Sequence, residues 1–149
     1  MEIIEYFASE NKEYWLSRIR ECDWSAGQFL HAQLQKGTLK ELTGENTRVL
    51  MLAEGEELLA FCTFADMDDI RPTGLRPWLG WIYTFPRHRG HRYAGLLLGH
   101  AEKLAKAEGV QSLHISTNHI GLYEKYGYEF LAIMKDMHGE DSRVYVKRL

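Results

Sequence analysis

The stretch from Trp78 to Thr117 constrains the fold more than any other part of the chain. Trp78–Phe85 is an apolar run that stops at Pro86, a length and composition that suit a buried strand. Arg87-His88-Arg89-Gly90-His91-Arg92 follows, too charged to extend that strand. From about Tyr93 to Glu108, Ala94, Leu97, Ala101, Leu104 and Ala105 fall on one helical stripe. His100, Lys103 and Lys106 lie off the stripe, and Gly109 stops the helix. Leu113–Thr117 is a second strand. Strand, helix and strand in this order make a right-handed crossover, so the two strands that flank the helix lie parallel.

The remaining elements fit around that unit. Ser9 is a candidate cap for a helix whose Trp15, Ile19 and Cys22 share one face. Ser25 and Gln28 have capping-box spacing at the start of a second helix, with Trp24 and Phe29 positioned as a hydrophobic staple and Gly37 as its stop. Arg48–Ala53 and Leu58–Ala65 read as a hairpin across Glu54-Gly55-Glu56. Asp66–Pro77, with Pro72, Gly74 and Pro77, reads as a loop. Ile120–Tyr126 is a short helix closed by Gly127. Phe130–Met134 and Val144–Lys147 form a last hairpin across Gly139-Glu140-Asp141. The expected fold is α/β: one mixed, mostly antiparallel sheet with helices on both faces, in a single domain over residues 1–149.

Bulk properties exclude several function classes. A hydrophobic share of 45% supports a packed core. A net charge of −3 argues against nucleic acid as a partner. Cys22 and Cys62 lack metal-ligand spacing and read as buried thiols. His88 and His91 sit among arginines that repel a cation, so no metal is expected. No signal peptide or membrane-length apolar run is visible, which points to a soluble, cytoplasmic protein without a membrane partner.

The junction of strand and helix carries the chemistry. Main-chain N–H groups at a helix start point outward, and the helix dipole adds partial positive charge, so the turn is an anion site. Arg87, Arg89 and Arg92 can add charge-assisted bonds to phosphate oxygens, and Gly90 and Gly95 allow close approach of a ligand. A solvated basic loop is the plain alternative, and the strand–turn–helix context favours the anion site. A P-loop is excluded because no Gly-Lys-Ser/Thr follows. The glycines are also wrongly spaced for a dinucleotide fingerprint.

Arg87-His88-Arg89-Gly90-His91-Arg92-Tyr93-Ala94-Gly95 resembles the pyrophosphate loop of the GNAT (GCN5-related) N-acetyltransferases, Arg/Gln-x-x-Gly-x-Gly/Ala. Arg89 takes the first position and Ala94 the last, while Arg92 stands where the pattern usually has glycine. Leu122-Tyr123-Glu124-Lys125-Tyr126-Gly127-Tyr128 is similar to the family's second signature. The resemblance covers the second half of the chain closely and the helical first third by layout only. It implies the GNAT fold with a splayed parallel strand pair, and acetyl-CoA as cofactor. The pyrophosphate would lie on Arg87, Arg89, Gly90, His91, Arg92, Tyr93, Ala94 and Gly95. The pantetheine arm would meet the main chain of Ile82, Tyr83 and Thr84, with Asn118 opposite. Tyr123 would be the general acid that protonates the leaving sulfur, in direct acetyl transfer to a primary amine of a small molecule.

The general base stays open: Asp66, Asp68, Asp69, His114, His119 and a water relay are all candidates. Trp78, Trp81 and Asp69 are the expected acceptor-binding residues, since aromatic walls with carboxylates suit a cationic amine. A catalytically silent acyl-CoA-binding module and an unrelated phosphate-ligand binder are the competing readings. A homodimer is left open.

Overall fold

The computed structural model describes residues 1–149. Seven strands form one sheet: β1 Glu2–Glu5, β2 Arg48–Glu54, β3 Glu57–Ala65, β4 Trp78–Thr84, β5 Ser112–Thr117, β6 Glu129–Lys135 and β7 Asp141–Arg148. Their order is β1-β2-β3-β4-β5-β7-β6, with β4 and β5 the parallel pair and every other neighbour antiparallel. The helices are α1 Lys12–Ile19, α2 Ser25–Lys36, α3 Leu39–Thr43 and α4 Tyr93–Ala107. The expected α/β fold, with its crossover between β4 and β5, is therefore what the chain adopts.

Strand alternation divides the core in two. Leu50 and Leu52 of β2 point with Leu59 and Cys62 of β3 toward Leu97, Leu98, Ala101 and Ala105 of α4. Val49, Met51 and Ala53 point the opposite way, with Phe61 and Tyr83, onto Trp15 and Ile19 of α1 and Leu30 and Leu34 of α2. Both faces of the central strands are thus covered, which explains why they read as continuous apolar runs and not as alternating ones. Cys22 and Cys62 are free and buried, as expected.

Several local expectations are corrected. Ser9 does not cap α1; its Oγ accepts from the N–H of Asn11, one residue before the helix. Ser25 and Gln28 do not form a capping box. Trp24 is the N-cap of α2, and the Gln28 side-chain amide instead donates to the carbonyls of Arg20 and Cys22, each at 2.7 Å. Trp24 and Phe29 do not staple together, because each stacks on a β4 ring: Trp24 on Tyr83 and Phe29 on Trp81. Helical geometry between Ile120 and Tyr126 is confined to a 3₁₀ turn at Tyr123–Tyr126, and Asp141 belongs to β7. The sequence reading also missed β1 and α3, which are only 4 and 5 residues long.

Candidate active site

The parallel pairing of β4 and β5 is short. Trp78 lies opposite His114 and Leu79 opposite Ile115, and no further pair follows. Beyond Leu79 the strands diverge around a cleft of about 730 Å³. On the β4 side a bulge sets Trp81 and Ile82 against the single residue Cys62 of β3, with Trp81 at φ 46°. Bulges add twist and re-aim side chains. Here the bulge turns the indole toward α2, where its N–H donates to the carbonyl of Ala26 at 2.6 Å. Trp24, Phe29 and Trp81 supply aromatic surface to the cleft, Asn118 and His119 stand at the end of β5, and Tyr123 closes the inner side.

Tyr123 is 5% exposed and packs in the same core cluster as Leu97 and Leu98 of α4. Burial, then the nearby Cys62 and Tyr126, raise its phenol well above the ordinary value, so the hydroxyl stays protonated at any physiological pH. Tyr126 and Tyr128 have packing roles, as expected. Tyr126 lies against Gly95, and the Tyr128 hydroxyl donates to Glu102 of α4 at 2.9 Å.

The arginine turn leads from a 3₁₀ turn at Pro86–His88 into α4. Gly90 has φ +89° and open space on its Cα, so it supplies the left-handed conformation and leaves the turn accessible. Arg92 is the N-cap, in left-handed geometry at φ 58° and ψ 33°, with an exposed side chain. That geometry favours glycine, the residue usual at this position of the family pattern. Arg89 donates through Nε to the Thr84 carbonyl at 3.0 Å and lies over the Tyr83 ring. Arg87 pairs with Glu57 in β3, which also takes His88 at 2.9 Å. Gly95 corrects the expectation of ligand approach: a Cβ there would meet Tyr126 Cε1 at 2.6 Å, so the glycine lets α4 pack on that ring.

Of the three acceptor-side residues, Trp81 and Asp69 line the cleft and Trp78 does not. Trp78 is 1% exposed, packs with Ile70 and Val144, and donates from its indole N–H to the Leu75 carbonyl. Its position before the point of divergence buries it. The base candidates are sorted the same way. His114 is buried against Trp78, with its Nδ1 3.0 Å from the Pro77 carbonyl, and burial lowers its pKa. Asp66 packs on Gly44 and accepts from Asn46. Asp68, Asp69 and His119 face the cleft. Sequence reasoning missed Gly80, Arg71 and His138 as cleft residues. The one usable signal was a glycine inside an apolar strand, which often marks close approach of another group.

Comparison with known proteins agrees with this geometry. The profile of the Acetyltransferase (GNAT) family matches residues 5–128. The chain belongs to the GNAT acetyltransferase family. The aminoglycoside 6′-N-acetyltransferase from Enterococcus faecium has a similar structure at a TM-score of 0.69, with 13% identity over 99% of this chain and 97% of that one. The PaiA N-acetyltransferase from Thermoplasma acidophilum, in complex with coenzyme A, reaches 0.65, with 15% identity over 100% of both chains. An acetyltransferase from Streptococcus agalactiae gives 0.65 at 19% identity, over 99% and 98% of the two chains. No curated protein matches the sequence. These likenesses are of fold.

Proposed function

We propose that the protein is an enzyme that transfers the acetyl group of acetyl-CoA to a primary amine of a small molecule, by direct attack within a ternary complex. The observation that carries this reading is the early end of β4–β5 pairing after Leu79 and Ile115. It leaves two strand edges facing one cleft. A pantetheine arm, with its amides, can add to such an edge as an extra strand. The main chain of Ile82, Tyr83 and Thr84 takes the arm on one side and Asn118 on the other. The pyrophosphate meets the N–H groups of Gly90 through Ala94 at the start of α4, aided by Arg89 and Arg92, while the Gly95 N–H is taken by the Arg92 carbonyl. Arg87 contributes least, being engaged by Glu57.

Tyr123 is the general acid. A cysteine thiol titrates near 8.5 and a phenol near 10, so a phenol can pass its proton to a departing thiolate. The upward shift at Tyr123 keeps the proton on oxygen until sulfur carries negative charge. The acceptor enters past Trp24, Phe29 and Trp81. Asp69 keeps one carboxylate oxygen buried and without a partner, and a cationic amine would satisfy it. Polyamines and aminoglycosides are therefore better acceptors than neutral amino acids.

Thiol release from acetyl-CoA with spermidine, kanamycin and glycine tests the reading. Turnover should be highest with the polycations, and Tyr123→Phe should lower kcat by roughly 10- to 1,000-fold. Thermal protection by acetyl-CoA with no turnover on any amine would instead identify a silent acyl-CoA-binding module.

A further inference from the structure

An acceptor ammonium must lose a proton before its nitrogen can attack, and β4 offers no side chain for that task. Tyr83 is its single ionisable residue, and it turns to the helical side, where its hydroxyl donates to Asp23 at 2.6 Å. At Gly80, the first residue beyond the last parallel pair, the strand presents no side chain at all. That space is filled from outside. A Cβ on Gly80 would lie 2.1 Å from Asp68 Oδ1 and 2.8 Å from its Cγ. The carboxyl of Asp68 thus sits where a β4 side chain would point, at the fork of the cleft.

We infer that Asp68, seated on Gly80, is the general base that deprotonates the acceptor amine; this rests on the acetyltransferase reading above.

The loop that carries Asp68 is fastened on three sides. The N–H of Met67 donates to Thr43 of α3 at 3.0 Å, and the Asp69 carbonyl accepts from Met137 of the β6–β7 turn at 2.7 Å. Arg71 donates from Nε to the Asp68 carbonyl at 2.8 Å and from its terminal nitrogen to the Leu42 carbonyl. Such bracing holds a base in one geometry, as catalysis requires. The other ionisable groups at the cleft are Asp69 and Arg71 on the same loop, His119 beyond β5, His138 on the β6–β7 turn, and Tyr123. Both histidines are exposed. Burial first, and the charge of Asp69 second, push the Asp68 carboxyl up to about 8, with Arg71 opposing. A base works best when it titrates near the working pH.

The step balances as follows. Asp68 takes one proton from the ammonium, and the freed lone pair forms the C–N bond at the thioester carbonyl. Collapse breaks the C–S bond and leaves the electron pair on sulfur. The second N–H proton reaches sulfur by way of Tyr123, and Asp68 passes the first proton to water. The products are amide, thiol and one proton.

Rates with acetyl-CoA and spermidine or kanamycin, over about pH 6 to 9, test the assignment. Asp68→Asn should lower kcat by roughly 100- to 10,000-fold, flatten the acid limb of the profile, and leave the KM for acetyl-CoA within about threefold. Gly80→Ala keeps the carboxyl but displaces it, and should cost about tenfold or more in kcat. Asp69→Asn should raise the acceptor KM and keep an acid limb, moved to lower pH because the neighbouring charge that helps raise Asp68 is gone. Wild-type turnover with an Asp68→Asn rate within about threefold of it would overturn Asp68 as base and leave acetyl transfer standing. Failure of the wild type on every acceptor would overturn both.

Discussion

Arg92 holds a conformation that costs the fold, in the turn proposed to take the cofactor's phosphates. It occupies left-handed geometry at φ 58°, where a side chain costs roughly 1 kcal/mol relative to glycine. Its side chain is exposed at the start of α4, beside the accessible turn at Gly90. Arg92→Gly removes the steric cost and adds backbone freedom to the unfolded chain, so the two effects largely cancel. We expect the urea midpoint to stay level or to rise by up to about 1 kcal/mol of stability. The KM for acetyl-CoA should rise several-fold, and the preference for CoA over 3′-dephospho-CoA should shrink. An unchanged preference would remove Arg92 from the cofactor site. The sequence alone reveals that an arginine replaces the family's glycine. That the backbone keeps the glycine-like conformation is a property of the folded turn.

At the scale of elements, the join between α1 and α2 depends on a side chain whose role the sequence disguises. Ser25 and Gln28 have the spacing of a capping box, yet Gln28 reaches back to satisfy the carbonyls of Arg20 and Cys22 beyond the end of α1. The Arg20 carbonyl, at the C-cap of α1, is among the groups a helix end leaves without partners, and that of Cys22 lies two residues further on. The same join brings Gly27 so close to Cys22 that a Cβ would meet its Sγ at 2.4 Å. Trp24, Ala26 and Phe29 of this region wall the cleft, so the stability of the join and the shape of the cleft are coupled here. Gln28→Ala should destabilise the fold by about 1–2 kcal/mol in urea unfolding, because the Cys22 carbonyl lies beside a buried thiol. An effect below a few tenths of a kcal/mol would mean that water replaces the amide at both carbonyls.

For the whole molecule, the Asp68–Asp69 pair ties stability to pH. An Asp68 carboxyl raised from 3.8 to about 8 holds its proton in the folded state and loses it earlier in the unfolded chain. Its unfavourable effect is absent below the unfolded value and grows as pH rises toward the folded one. Wild-type stability should therefore decline between about pH 4 and 8 relative to Asp68→Asn. Urea midpoints of the two proteins at several pH values should diverge as pH rises, with the variant the more stable. Parallel curves would show that Asp68 is ionised in the fold at all these values.

The same pair marks the limit of what the chain reveals when read in one dimension. The β4–α4–β5 crossover, the two-sided core and the Tyr123 segment were legible in the sequence, because apolar periodicity and turn chemistry are local and each element carries its own signal. Trp78 and Trp81 look alike in sequence and differ by one bulge and by which side of the β4–β5 fork they occupy. Asp66, Asp68 and His114 were equal candidates until packing put only Asp68 on Gly80. Which side chain enters the cleft is set by where two strands stop pairing and which loop is tethered across the gap. Those are contacts between residues far apart in the chain, and only the tertiary structure brings them together.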